Sequence, residues 1–134
     1  TSDILNQDEM NVINEIPKIV PKGDTIVNNP WDGSAYIYAL ADRHLTSYHF
    51  EFQTSPKYSA ILNDLKDART NPEVCREVNQ YKAHWYVHLE NQGNFGPSEQ
   101  KNYDGLVAAI DTDVLTTVYS SGPMTLYRIS ACDN

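Results

Sequence analysis

The sequence predicts an α/β domain in three layers, a Rossmann-like mixed sheet with helices on both faces and a C-terminal β-hairpin. Helical patterns alternate with short β-branched and aromatic strands, which is typical of this class. Two closing strands flank a turn-forming segment at residues 120–123, which favours a hairpin. At 134 residues the chain has the usual size of one domain, and we assign residues 1–134 to it.

The composition limits the classes of function. Ten Lys and Arg residues against 18 Asp and Glu give a net charge of -8, and the basic residues are scattered along the chain. Binding to nucleic acid or to an anionic membrane surface needs clustered positive charge, so we expect neither partner. No apolar run approaches the ~20 residues of a membrane helix, so we expect a soluble chain. Its start, close to the first predicted helix, suggests a fragment of a longer protein.

The first third of the chain predicts helices that alternate with strands. Apolar spacing predicts a helix at residues 7–20, and a β-branched run predicts a strand within residues 24–28. After a tight loop we expect a helix at residues 34–41, with Asp32 as its N-cap, and a strand at residues 44–47. Because crossovers in one sheet are right-handed, these early strands should be parallel.

The remaining two thirds predict three more helices, a central strand and the hairpin. The helices lie at residues 57–68, 72–80, where Asn71 is the cap, and 105–110. The clearest strand, at residues 83–89, should be central because it is long and rich in aromatic and β-branched residues. Its faces are predicted to carry Trp85, Val87 and Leu89 on one side and His84, Tyr86 and His88 on the other. The hairpin strands are predicted at residues 114–119 and 124–130, after a surface loop at residues 91–102.

The loop that leaves the first strand is the candidate ligand site. A loop from the carboxyl end of a parallel strand into a helix directs backbone N–H groups at one point. Asp32 could bind a sugar hydroxyl or act as a base, and Trp31 could stack on a sugar ring. The structural alternative is that Asp32 only caps the helix, Gly33 permits the turn and Trp31 fills the core. The candidate ligand-binding residues are Asn29, Trp31, Asp32, Gly33 and Ser34.

The histidines and Ser34 do not predict a metal or catalytic site. His84 and His88 share a strand face, but four residues of extended chain separate them by about 13 Å, too far to bind one ion together. His44 and His49 would face opposite ways on a continuous strand. Ser34 does not lie in a nucleophile-elbow pattern. We therefore assign no catalytic residue, no metal ligand and no cofactor.

The two cysteines, Cys75 and Cys132, allow a single pairing. A disulfide between them would close a loop of about 57 residues and contribute roughly 4 kcal/mol in the chain-entropy model. Two buried free thiols are the alternative, and the residues alone do not decide between the two.

Five segments carry a resemblance to a known family. They are DTIVNNPWDGSAYIYAL at residues 24–40, NPEVC at 71–75, WYV at 85–87, YDGL at 103–106, and LYRI at 126–129 with Cys132. With these segments in this order along its sequence, the chain resembles the C-terminal soluble domain of large actinobacterial multi-pass membrane proteins of unknown function. Those proteins are distantly similar to membrane glycosyltransferases that use lipid-linked sugar donors.

The resemblance implies an extracytoplasmic location, on the outer side of the cell membrane, where a Cys75–Cys132 disulfide persists. In such glycosyltransferases the catalytic acidic residues usually lie in loops of the membrane part. The resemblance therefore implies a non-catalytic accessory domain for ligand or acceptor binding or docking in cell-envelope glycan assembly. Its expected partners are the membrane portion of the parent chain and a saccharide or lipid-linked sugar.

Two other functions stay open at this point. A stand-alone, Rossmann-like enzyme for a small ligand would use Asp32 and Ser34 and would need a titratable group close to Ser34. A protein-interaction module would instead show an exposed apolar patch or a symmetric dimer.

Overall fold

The computed structural model of the chain describes residues 7–29, 43–46, 56–89 and 104–133. The helices are α1 (Gln7–Ile19), α2 (Ser59–Asp64), α3 (Pro72–Gln80) and α4 (Asp104–Ala108). The strands are β1 (Thr25–Asn28), β2 (His44–Leu45), β3 (Trp85–Leu89), β4 (Thr116–Ser121) and β5 (Met124–Arg128). Short 3₁₀ helices lie at Pro56–Tyr58, Leu65–Asp67 and Ser130–Cys132.

The five strands form one mixed sheet in the order β2-β1-β3-β5-β4. β1 is parallel to both β2 and β3, with Val27 opposite Tyr86. β5 is antiparallel to β3 and to β4, with Leu126 opposite Val87. The predicted mixed sheet, the parallel early strands and the central position of β3 are therefore confirmed.

Two apolar cores, one on each face of the sheet, complete the three predicted layers. Ile26 and Val87 point to the face covered by α1 and share its core with Leu126. Their neighbours in sequence, Val27 and Tyr86, point to the other face, into the core of α2, α3 and α4. Successive side chains on a strand point to opposite faces, so strands that are buried on both sides carry apolar residues at adjacent positions.

A buried arginine holds the end of α1. The Arg43 guanidinium donates from Nε to the carbonyl of Val20 at 2.9 Å and from Nη2 to that of Pro17 at 3.4 Å. The last carbonyls of a helix have no partner within the helix, and a cation there also complements the helix dipole. The prediction of a helix at residues 7–20 is confirmed to within one residue.

The prediction of one continuous helix at residues 57–68 is wrong in detail. The segment consists of α2 between two 3₁₀ helices. α2 packs closely against α4: a Cβ at Gly105 would overlap the carbonyl of Asn63, so the two backbones can approach there only at a glycine. The 3₁₀ turn Leu65–Asp67 begins two residues after this contact.

Two strand predictions also differ at their ends. β2 includes His44 and Leu45, and Thr46 follows as a bend. The hairpin turn is shorter than predicted, because Ser121 still pairs with Met124 and only Gly122 and Pro123 connect the strands. Gly122 has φ +57, a conformation in which a side chain is strained.

Candidate functional site

The three parallel strands end at one edge of the sheet, which we call the carboxyl edge and define by Asn28, Asn29, Leu45, Thr46 and Leu89. The chain continues from β1 to β2 on one side and from β3 to the hairpin on the other side. In open α/β sheets a crevice forms where the strand order reverses in this way, and ligands bind there. The carboxyl ends of β1 and β3, where such a crevice is expected, are therefore the candidate functional site.

Buried polar groups fix the direction in which the chain leaves β1. Asn28 is 0% and Thr46 6% exposed. The backbone N–H of Asn28 donates to Oγ1 of Thr46 at 3.1 Å, and the Thr46 hydroxyl lies 3.2 Å from Oδ1 of Asn28. Thr46 N–H also donates to the carbonyl of Ile26 at 3.1 Å, which aligns the two strand ends. The loop after β1 thus begins from a rigid, hydrogen-bonded position.

Of the five predicted ligand-binding residues, the structure describes Asn29. It is 5% exposed and makes interactions of its own, so it is buried directly after the end of β1. The other four residues, Trp31, Asp32, Gly33 and Ser34, lie outside the described residues, as does the helix predicted at residues 34–41. Their part in the site stays a prediction.

The β3 side of the candidate site carries a histidine in contact with a buried tyrosine. Nδ1 of His88 lies 3.3 Å from the Tyr86 hydroxyl, and which of the two donates depends on the histidine tautomer. The Tyr86 ring is fully buried and stacks on Tyr127 with centroids 5.8 Å apart. The sequence placed Tyr86 and His88 on one strand face, but we considered His88 only as a metal ligand. Their spacing of two residues on a strand was the available signal for this contact.

The polar side chains described at the carboxyl edge form two separate pairs. The Asn28 amide pairs with the Thr46 hydroxyl, and the Tyr86 hydroxyl pairs with the His88 imidazole. Such groups donate and accept hydrogen bonds without carrying a fixed charge. Within the part of the chain that the structure describes, no three His, Cys, Asp or Glu residues are grouped so that they could hold a metal ion.

A second polar cluster lies at the opposite edge, which we call the amino edge and define by Asp24, Trp85, Arg128 and Asp133. The Arg128 guanidinium lies 4.7 Å from the centroid of the Trp85 ring and donates to Asp133 at 2.7 Å. Nε1 of Trp85 donates to Asp24 at 3.0 Å. Every group in this cluster is satisfied by another member, so the cluster stabilises the fold.

His84 joins the amino edge, and its surroundings disfavour the protonated ring. Nε2 of His84 lies 3.0 Å from Oδ1 of Asn79. Burial, and then the positive charge of Arg128, lower the pKa of His84 below its ordinary 6.5. Arg128 also lowers the pKa of Asp133 through its hydrogen bonds to that carboxylate. At neutral pH the amino edge therefore favours a charged Arg128–Asp133 pair and a neutral His84 ring.

The disulfide predicted between Cys75 and Cys132 is present. It joins α3 to the last 3₁₀ helix, with 5.2 Å between the Cα atoms and 57 positions between the residues. Structural disulfides persist in oxidising compartments. Among the described residues, no helix has both the length and the apolar character that a bilayer crossing requires.

The fold defines the class: a three-layer α/β domain with a mixed sheet whose strand order reverses between β1 and β3. More specifically, the chain belongs to the family of unknown function DUF6541, which matches residues 1–131. None of the curated proteins matches the sequence.

The fold is also similar to a solved structure, the C-terminal globular domain of an oligosaccharyltransferase from Archaeoglobus fulgidus. The TM-score is 0.57 at 12% sequence identity, and the alignment covers 93% of this chain and 98% of the archaeal domain. At this identity the likeness is one of fold, and it extends over nearly the whole of both chains.

Proposed function

We propose that this chain is an extracytoplasmic, non-catalytic accessory domain of a multi-pass membrane protein of cell-envelope glycan assembly. The observation that carries the proposal is the fold likeness to a globular domain of an oligosaccharyltransferase, over 93% of this chain and 98% of that domain. An oligosaccharyltransferase moves a glycan onto an acceptor, so a domain of this shape accompanies glycan transfer in that protein. By analogy, the partners of this chain are the membrane portion of its parent and a saccharide or lipid-linked sugar.

The disulfide supports the location. Cys75 and Cys132 close a loop that contains most of α3, β3 and the hairpin. Thiols in the cytosol are kept reduced, whereas disulfides in extracytoplasmic domains are stable and stabilise small folds. A bond that spans so much of the domain is therefore useful to a protein displayed outside the cytoplasm.

The ligand site that we propose consists of Asn29 and the residues that follow it, Trp31, Asp32, Gly33 and Ser34. Its position at the strand-order reversal is where open α/β sheets bind ligands. An indole ring can pack on the apolar face of a sugar, and a carboxylate accepts hydrogen bonds from sugar hydroxyls. The hydrogen bond between Thr46 and Asn28 supports the site by holding the end of β1 from which this loop starts.

Calorimetric titration of the purified chain with soluble saccharides tests the proposal. We expect binding to the unchanged chain and a loss of affinity of at least tenfold, about 1.4 kcal/mol, in Asp32→Asn. Asp111→Asn is the matched control: it makes the same change of charge at an exposed residue, and asparagine tolerates the positive φ of 71 there.

The same samples also test the alternative that the chain is a stand-alone enzyme. The proposal expects no product from the isolated chain after long incubation with a sugar donor and an acceptor. Turnover that Asp32→Asn and Ser34→Ala abolish would establish a stand-alone enzyme instead. If the Asp32→Asn and Asp111→Asn variants bound the saccharide with equal affinity, the loop after β1 would not be part of the ligand site.

A further inference from the structure

β4 is the last strand on one side of the sheet, and its outer side, which faces away from β5, is open. Among the residues that the structure describes, no strand pairs with this side of β4. Most of its side chains are exposed, namely those of Thr116, Thr117, Val118 and Ser120. The last strand of a sheet presents a row of backbone N–H and C=O groups, and another extended chain can pair with them.

The outer side of β4 lacks the charged residues that usually protect such a strand. Proteins prevent unwanted strand pairing with charged side chains, with proline or with a very short strand. At the other side of the sheet the last strand, β2, has only two residues. β4 has six residues, and it lies in residues 114–127, the longest stretch of the chain without a charged side chain. The outer side of β4 is therefore both long and uncharged.

A bulge presents an apolar side chain on β4. The register with β5 shifts between Thr117 and Tyr119, which leaves Val118 as the extra residue. Bulges redirect side chains, and Val118 is 40% exposed. Because a bulge also interrupts a ladder, a strand added to β4 would pair on both sides of Val118 and place a side chain against it.

We propose that the outer side of β4 binds an extended segment of a partner polypeptide that carries no acidic side chains. A row of alternating N–H and C=O groups is matched by another extended backbone, which defines the ligand as a polypeptide. Because the chain has a net charge of -8, an uncharged or basic segment approaches with less repulsion than an acidic one. The exposed Val118 favours an apolar side chain at the facing position of that segment.

A second copy of the chain fits the outer side of β4 less well than a peptide segment does. A strand of six residues is about 20 Å long, and a contact of that length and about 10 Å thick is far smaller than the ~1,600 Å² of a stable protein interface. Two chains that each carry a net charge of -8 also repel each other. Both effects favour a reversible peptide complex over a symmetric dimer.

Titration of the ¹⁵N-labelled chain with synthetic peptides, followed by NMR and calorimetry, tests the proposal. The probe is a capped peptide of alternating threonine and valine with a lysine at each end. We expect it to bind and to shift the backbone amides of Thr117, Val118 and Ser120. A probe with two successive prolines at its centre lacks N–H groups on both of its sides and should not bind. A probe with glutamate in place of lysine should bind several-fold more weakly.

Lysine substitutions supply matched variants of the chain. Val118→Lys places on β4 the kind of charge that protects other edge strands, and it should weaken binding of the lysine-flanked probe by about tenfold, as should Thr117→Lys. Val107→Lys is the control: it makes the same change at a 47% exposed valine on α4 and should leave the affinity unchanged.

Three results would overturn the proposal: no shifts on β4 at millimolar probe, equal affinities of the Val118→Lys and Val107→Lys variants, or equal affinities for the lysine and glutamate probes. A dimer of the unchanged chain that Val118→Lys dissociates would also overturn it and would make a second copy the occupant. Saccharide binding is measured with other ligands, so these results leave the proposed function untouched.

Discussion

Glu77 of α3 accepts a hydrogen bond from the backbone N–H of Ile61, the third residue of α2, at 3.0 Å. Its second carboxylate oxygen accepts from the N–H of Ala60 at 3.2 Å, and the side chain is buried at 4% exposure. The N–H groups of the first turn have no partner within a helix. A carboxylate from a neighbouring helix satisfies two of them and so fixes α2 against α3.

Glu77→Ala should destabilise the fold by about 2–3 kcal/mol, because it leaves buried N–H groups of α2 without acceptors. Urea unfolding at pH 7 measures the loss. The control is Glu73→Ala on the same helix: Glu73 forms an exposed ion pair with Arg76, worth less than about 1 kcal/mol. A loss from Glu77→Ala no larger than that of the control would contradict the capping role.

Removing either cysteine should cost about 4 kcal/mol, the value that the chain-entropy model gives for this loop. Because the bond is lost in either case, Cys75→Ala, Cys132→Ala and the double variant should lose nearly the same amount under non-reducing conditions. Unfolding in urea compares the three. Losses that add in the double variant would show that the residues stabilise the fold separately and not through the disulfide.

Thr46→Val should destabilise the domain by about 1–3 kcal/mol, since the isosteric valine leaves the buried N–H of Asn28 without its acceptor. It should also weaken saccharide binding, because the loop after β1 starts from this hydrogen bond. Thr116→Val is the control: it removes an exposed hydroxyl that contacts Ser130 and should change stability by less than about 0.5 kcal/mol. Matching losses from the two variants would argue against a special role for Thr46.

The pH dependence of stability should include a contribution from His84. Because the folded state lowers its pKa, the unfolded chain binds the proton more readily. The contribution of neutral His84 is therefore present above pH 6.5 and is lost as the pH falls through its lowered pKa. In an NMR titration we expect a midpoint for His84 below 6.5, and in urea a smaller acid destabilisation for His84→Gln than for the unchanged chain. A His84 midpoint above 6.5 would refute this.

The parts of the fold that depend on local signals could be predicted from the sequence. Asn71 caps α3 through the N–H of Glu73, as the Asn-Pro pair indicates. β1 and β3 follow from β-branched and aromatic runs, and the closing hairpin follows from its turn residues. In each case the signal lies within a few residues of the element that it specifies.

Contacts between distant segments could not be predicted in the same way. Arg43 caps the end of α1 and Glu77 caps the start of α2, but nothing near either residue in the sequence identifies its partner. The sheet brings Arg43 to α1, and the packing of α3 against α2 brings Glu77 to its partner. The close approach of α2 to α4 requires Gly105, about forty positions after the contacting Asn63. Within the candidate site, the role of the loop after β1 stays a prediction, and the contact of Tyr86 with His88 was not predicted.

The central claim is that a saccharide binds at the carboxyl edge of this domain. Backbone NMR spectra of the ¹⁵N-labelled chain, recorded during a saccharide titration, test it most directly. We predict that the shifted amides cluster around Asn28, Thr46 and His88, whereas those of Lys82 and Asp133 at the amino edge stay in place. Shifts confined to the amino edge, or none at millimolar saccharide, would contradict the claim.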